Sequence, residues 1–203
     1  MNSATPDPEL LARARSGDAQ AAGQVLEQYR AYLNLLARLQ IRRAIQGKVD
    51  ASDVVQETFL EAYRDFAQFR GTTEAELMAW LRRILASNLA DQARRFTGAR
   101  RRDVRLERRL ADELDESSRV LDRGLAARQS TPSERAAHRE QALLLAEALE
   151  RLPADYREVI ILRHLEELRF PEVAQRMGRT LDSVKNLWTR ALDRLRRALE
   201  DAS

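Results

Sequence analysis

Helix-breaking residues are scarce in this chain, and their placement limits the folds open to it. The five prolines stand at 6, 8, 132, 153 and 171, so none interrupts residues 9–131. Only seven glycines are spread over 203 residues. Proline removes a backbone donor and clashes with the preceding turn, and glycine costs about 1 kcal/mol inside a helix. A long stretch with no proline and few glycines is therefore open to nearly continuous helix. Apolar residues there recur at helical spacing, as in Val25, Leu26, Tyr29, Leu33, Leu36 and Ala37. No sustained apolar/polar alternation marks strands. The one β-like run, "VIIL" at 159–162, lies inside a longer helical pattern.

The pattern predicts helices over 7–15, 19–45, 51–68 and 74–96, then over 133–150, 154–165, 170–177 and 181–200. Residues 97–131 read as a charged, weakly periodic connector. Helix restarts at "STPSE" (130–134), where Thr131 or Ser133 is a cap candidate beside Pro132. The expected fold is all-α: two helical domains joined by a charged linker, the C-terminal one containing a helix-turn-helix.

The stretch "FPEVAQRMGRTLDSVKNLW" (170–188) carries that motif. Pro171 suits a first helical turn, Gly178 a left-handed C-terminal residue, and Thr180 the cap of the next helix. On the second helix Leu181, Val184, Trp188, Ala191, Leu195 and Ala198 form one apolar arc, which makes Trp188 core and sets Leu187 at its border. The opposite arc carries Asp182, Ser183, Lys185, Asn186, Thr189, Arg190, Asp193, Arg194 and Arg197. Asparagine and arginine are the side chains that pair bidentately with adenine and guanine, and the cations suit phosphates. An isolated helix of this kind reads as a solvated amphipathic surface. The short preceding helix, the glycine turn and the cap make DNA binding the better reading.

Two more stretches carry function. In "DASDVVQETFLEAYRDF" (50–66), Val55, Phe59, Ala62 and Phe66 face inward, while Asp53, Gln56, Glu57, Leu60, Glu61 and Arg64 face out. An acidic rim around an apolar residue suits a basic protein partner, although taken alone it reads as a solvated face. The next helix carries a stripe of Leu77, Trp80, Leu81, Ile84 and Leu85, and its remaining surface is basic: Arg82, Arg83, Asn88, Gln92, Arg94 and Arg95. Eight arginines lie between 94 and 109, including Arg100, Arg101 and Arg102, against Asp103 and Glu107. Such density attracts phosphates. The acidic run "ADELDE" (111–116) that follows reads either as a mimic of nucleic acid held against the basic run or as plain solvation.

Both halves resemble a known layout. "DVVQETFLEAYRDFAQFRG…AWLRRILASNLADQARR" resembles the second conserved region of bacterial sigma factors, and "LERLPADYREVIILRHLEELRFPEVAQRMGRTLDSVKNLWTRALDRLRRAL" resembles their fourth. Their order and spacing are similar to those of the extracytoplasmic-function (ECF) group. The resemblance implies a region-two-like domain over 1–98, a charged linker over 99–131 and a region-four-like domain over 132–203. It implies a transcription initiation factor that binds core RNA polymerase, directs it to promoters and assists melting. Asp53, Gln56, Glu57 and Leu60 would dock on the polymerase clamp helices. Arg70 and Thr72, in the loop at 69–74, and Asn88 would hold a flipped base of the −10 element, with Arg94 and Arg95 on its backbone. Ser183, Lys185, Asn186, Thr189 and Arg190 would read the −35 element. This chain has Asn186-Leu187 where the family often carries Ser-Arg. An anti-sigma factor is a common further partner in the group.

Other classes find less in the sequence. There are no cysteines, which excludes disulfides and thiolate metal sites, and His138 and His164 alone make no His-rich site. No phosphate-cradling glycine loop or nucleophile–base set is visible, so neither an enzyme nor a cofactor is expected. No apolar run approaches the ~20 residues that span a bilayer, and the N-terminus lacks a signal pattern, so a cytoplasmic protein without membrane insertion is expected. The alternatives are a stand-alone helix-turn-helix regulator acting as a dimer and a helical adaptor that binds proteins only.

Overall fold

A computed structural model describes residues 8–44, 49–97, 104–123 and 132–201. Among them every element is helical. The chain divides into two compact units, one running to Arg119 and the other beginning at Val120.

The first unit contains α1 (Pro8–Arg15), α2 (Ala19–Gln28), α3 (Arg30–Ala44), α4 (Ala51–Asp65), a 3-10 turn (Phe66–Gln68), α5 (Glu74–Thr97) and most of α6 (Val104–Arg123). Side-chain caps fix two of the starts. Asp18 accepts from the Ala21 N–H at 3.0 Å and Asp50 from the Ser52 N–H at 2.9 Å. Each such cap stabilises a helix by about 1 kcal/mol. The helix expected over 19–45 is divided at Tyr29, whose N–H turns back to Leu26 while its side chain is fully buried. Helices α2 to α5 pack on one another around Val25, Leu33, Leu36, Val54, Val55, Phe59, Leu77, Leu81, Leu85 and Leu89, all buried. These are the inward stripes of the sequence pattern, and each fully buried Leu or Phe is worth roughly 1.5–3 kcal/mol over an exposed one.

The connector expected over 97–131 departs most from expectation, because 104–123 is helix. Its inner face in the first unit is Leu110, Leu114, Ser117 and Ser118, all buried. The two serines explain why the sequence shows so weak a stripe: they look polar but point inward. Ser118 accepts a hydrogen bond from the Tyr32 hydroxyl at 2.9 Å, and Ser117 one from Gln40 at 3.4 Å. Arg82 reaches both Asp115 at 2.6 Å and the Tyr32 hydroxyl at 3.1 Å. Ser87 donates to Glu107 at 2.9 Å. One residue of the acidic run is thus a structural anchor within the protein, rather than part of a free linker. Arg100, Arg101, Arg102 and Thr131 lie outside the described residues.

The second unit contains α7 (Pro132–Glu150), α8 (Ala154–Ile160), a π-helical turn (Ile161–Leu165), α9 (Phe170–Met177) and α10 (Leu181–Glu200). "VIIL" is helical, as its surroundings predict, and Val159, Ile160, Ile161 and Leu162 are buried with Val173, Val184, Ala191 and Leu195.

Candidate nucleic-acid interface

The helix-turn-helix is built as the local signals require. Pro171 stands in the first turn of α9, where its missing N–H costs nothing, and the Arg169 N–H is taken by Glu172 at 2.6 Å. Gly178 ends α9 with φ +63°, and the Arg179 N–H closes on the Ala174 carbonyl at 2.9 Å. That left-handed conformation is strained for other residues. Thr180 then caps α10, its hydroxyl accepting from the Ser183 N–H at 3.3 Å. The three-residue turn leaves α10 anchored by Val184, Ala191 and Leu195.

Trp188 is half-buried on the anchored side. Its indole N–H donates to His164 Nε2 at 3.0 Å, the two rings stack at 6.0 Å, and Phe170 meets the indole edge-on at 5.3 Å. Leu187 is half-buried beside it, while Leu181, expected on the apolar arc, is 39% exposed in the first turn. Across the helix Lys185, Asn186, Thr189 and Arg190 are exposed together, with Ser183 half-buried at their edge. The Thr189 hydroxyl donates to the Lys185 carbonyl at 3.1 Å, so its oxygen is left to accept. The face offers donors and acceptors at helical spacing on a rigid support, as base-edge contact in a major groove requires.

In the first unit the outer face of α4 divides in two. Asp53, Gln56 and Arg64 are exposed around Leu60 (50% exposed) and Tyr63 (46%). Sequence reasoning passed over Tyr63, although it stands one helical turn after Leu60 and seven residues after Gln56. Glu57, expected to dock with this group, is half-buried and also reaches α5. It accepts from Gln92 at 3.2 Å and pairs with Arg95 at 3.7 Å. Asn88 likewise donates to Thr58 at 3.3 Å and to Glu61 at 3.2 Å, and Arg94 pairs with Asp91.

The loop before α5 is a tight cap. The Glu76 carboxylate accepts from the Thr72 N–H (2.9 Å), the Thr73 hydroxyl (2.8 Å) and the Thr73 N–H (3.0 Å). Those bonds, first the Thr72 N–H, then the Thr73 hydroxyl and N–H, hold Glu76 below its ordinary value of 4.5. Gly71 admits no side chain, since a Cβ there would lie 2.3 Å from the Phe69 ring, which packs on Trp80 at 5.1 Å. Trp80 is half-buried in that aromatic cluster, as its place on the stripe predicts. Thr72 is thus fixed at the first turn of α5, and Arg70 is exposed just before it. Asn88 lies twelve residues past Glu76, about 18 Å along the helix.

Among the described residues no helix is long and apolar enough to cross a membrane, and no cluster of three metal-ligating side chains occurs.

Comparison with known proteins matches two family descriptions to this chain: Sigma-70 region 2 over residues 28–99 and Sigma-70, region 4 over residues 142–195. The ECF RNA polymerase sigma-E factor of Haemophilus influenzae is 29% identical over 96% of this chain and 95% of its own length. The RNA polymerase sigma-H factor of Pseudomonas aeruginosa is 28% identical over 96% and 94%. The ECF RNA polymerase sigma factor BldN of Streptomyces coelicolor is 30% identical over 95% of this chain and 66% of its own. Among solved structures, CnrH in complex with the cytosolic domain of CnrY aligns at 25% identity over 98% of this chain and 99% of that one, with a TM-score of 0.37. With both conserved regions present in order on one chain, and relatives aligned along nearly its whole length, this protein belongs to the sigma-70 family, in its extracytoplasmic-function group.

Proposed function

We infer that the protein is a transcription initiation factor that binds core RNA polymerase, directs it to specific promoters and helps to open them. The observation that carries this reading is the presence of both matched regions on one chain. A helix-turn-helix alone supports duplex binding and nothing more.

The residue roles follow from exposure and chemistry. Asp53, Gln56 and Leu60, with Tyr63, form an apolar contact rimmed by acid and amide on α4, a surface suited to a basic helical partner such as the polymerase clamp. Glu57 belongs to the same docking surface and also accepts from Gln92 of α5. Arg70 and Thr72 of the loop and Asn88 hold a flipped base of the −10 element, and Arg94 and Arg95 meet its backbone. A base must leave the duplex to be held by such groups, and melting is assisted when an extruded base and its phosphates are captured. Ser183, Lys185, Asn186, Thr189 and Arg190 read the −35 duplex. These roles involve no bond making, in keeping with a factor that is not itself an enzyme. The cytoplasm, where polymerase and promoter meet, is its place of action.

The deciding experiment is run-off transcription with purified core polymerase over a genomic template library. Discrete products that depend on this protein are expected. Tight, sequence-specific duplex binding by the protein alone, with no product in any template, would sink the reading.

A further inference from the structure

We propose that the first half of α6 is a second phosphate-binding wall of the N-terminal unit, set beside α5 to grip the promoter backbone next to the −10 element. The proposal rests on the sigma-factor reading and adds a surface to it.

The geometry comes from two anchors. Arg82 of α5 bonds Asp115 of α6 at 2.6 Å, and Ser87 of α5 bonds Glu107 of α6 at 2.9 Å. As α5 runs from 82 to 87, its partners on α6 run backward from 115 to 107, so the two helices are antiparallel. The first turn of α6 therefore lies along the second half of α5, the half that carries Asn88, Gln92, Arg94 and Arg95. Tyr32 and Gln40 of α3 hold the other end of α6 through Ser118 and Ser117. A helix held to the unit at 107, 115, 117 and 118 is a fixed wall over that length rather than a loose tether.

Charge is distributed along α6 in a way that core packing does not require. Arg105, Arg108 and Arg109 are exposed in its opening turns, where the acid among them, Glu107, is occupied by Ser87. Asp112, Glu113, Asp115 and Glu116 follow, opposed by Arg119. Arg109 reaches Glu113 at 3.6 Å, a solvent-facing pair weak enough for a phosphate to displace. The opposite placement would set acids against the basic end of α5 and neutralise it. Instead the arginines of α6 lie along the arginines of α5, whose own partners are Asp91 and Glu57, so a polyanion can draw on both sets at once. Arginine suits it, since its planar fork meets phosphate oxygens two at a time.

The test uses the full chain in holoenzyme, on a promoter duplex recovered by the run-off screen. The quantity read is the slope of log affinity against log salt. Each duplex phosphate contact contributes ~0.9 to that slope. The variant R105Q/R108Q/R109Q is expected to flatten it by about one to three, with its thermal midpoint unchanged because all three side chains are exposed. R119Q, removing the same chemistry at least ten residues and about 15 Å further along α6, is expected to leave it unchanged. An unchanged slope in the triple variant, with a flatter one in R94Q/R95Q, overturns the proposal and leaves the sigma-factor reading standing. If neither variant alters the slope, the assignment of α5 to phosphates falls as well. Equal flattening by R119Q overturns the proposal in favour of a diffuse field. Amide exchange over residues 104–119 in holoenzyme supplies a second readout: retained protection supports the wall, and its loss, meaning that α6 leaves α5, overturns it.

Discussion

The two candidate DNA-binding faces are built from similar side chains and held in different ways. On α10, Lys185, Asn186 and Arg190 project from a helix whose caps and buried side are complete without them. On α4 and α5, Asn88, Gln92, Arg94 and Arg95 are engaged with Glu61, Thr58, Glu57 and Asp91. On the proposed roles, the first is a preformed reader. It makes new bonds on binding without giving any up. The second exchanges bonds within the chain for bonds to nucleic acid, so its affinity is the difference between two sets of polar interactions. That difference suits the two tasks. A duplex groove presents its pattern ready made, whereas a melted strand must be captured as it forms.

The largest expected effect lies outside both faces. Leu60→Arg places a cation at the centre of the exposed acidic and apolar face of α4. Centrally placed side chains of this kind contribute ~2 kcal/mol or more, so affinity for core polymerase is expected to fall by about thirty-fold, measured by fluorescence anisotropy of the labelled protein. The thermal midpoint should not move, because Leu60 is half-exposed in the free chain. Unchanged polymerase affinity would remove α4 from the docking surface.

The next pair separates the two faces directly. Asn186→Ala with Arg190→Ala removes the donors best suited to base edges from a face that stabilises nothing. Discrimination between matched and mutated −35 sequences is expected to drop by about 1–3 kcal/mol for each base no longer read, with stability within ~0.5 kcal/mol of the parent. Asn88→Ala is expected to impair promoter opening and also to lower stability, by roughly 0.5–1.5 kcal/mol, because it strips Glu61 and Thr58 of a donor. Permanganate footprinting and denaturant unfolding report the two quantities. If Asn88→Ala leaves unfolding untouched, the engaged face is no more engaged than α10, and the contrast disappears.

Much of this architecture was legible in the sequence, and the parts that were not have physical causes. The helix-turn-helix announced itself through Pro171, Gly178 and Thr180, each with a stereochemical reason to stand where it does. The stripes of α4 and α5 were readable because they are built from Leu, Phe and Val. Helix α6 was obscured because Ser117 and Ser118 face inward and satisfy Gln40 and Tyr32, partners 77 and 86 residues away. A pattern that scores hydrophobicity along one helix cannot register a polar interaction of that range. Glu57, read on the outer face, has its pairing with α5 hidden for a similar reason. Its position on the helical wheel is at the border of that face, and only the tertiary placement of Gln92 and Arg95 decides which way it turns.

The smallest expected effect tests whether the reader on α10 is as independent of its surroundings as its exposed face suggests. Behind that face, Trp188 donates to Nε2 of His164, which requires that nitrogen to be unprotonated. Burial first, and then the charge of Arg163, hold His164 below its ordinary value of 6.5. A base whose folded value is depressed favours the folded state when neutral. Its contribution is therefore complete above about pH 6.5 and is lost as the pH falls toward the folded value. In a Trp80→Phe background Trp188 is the one remaining indole, so its emission follows this interaction alone. Between pH 7.5 and 5.5 the emission and the thermal midpoint of the unit are expected to shift slightly, and His164→Gln is expected to flatten both dependences. The shift is small because His164 is exposed and water can replace the missing partner. A pH response of equal size in the glutamine variant would assign the titration to surface carboxylates and leave α10 as a reader whose support does not respond to protons.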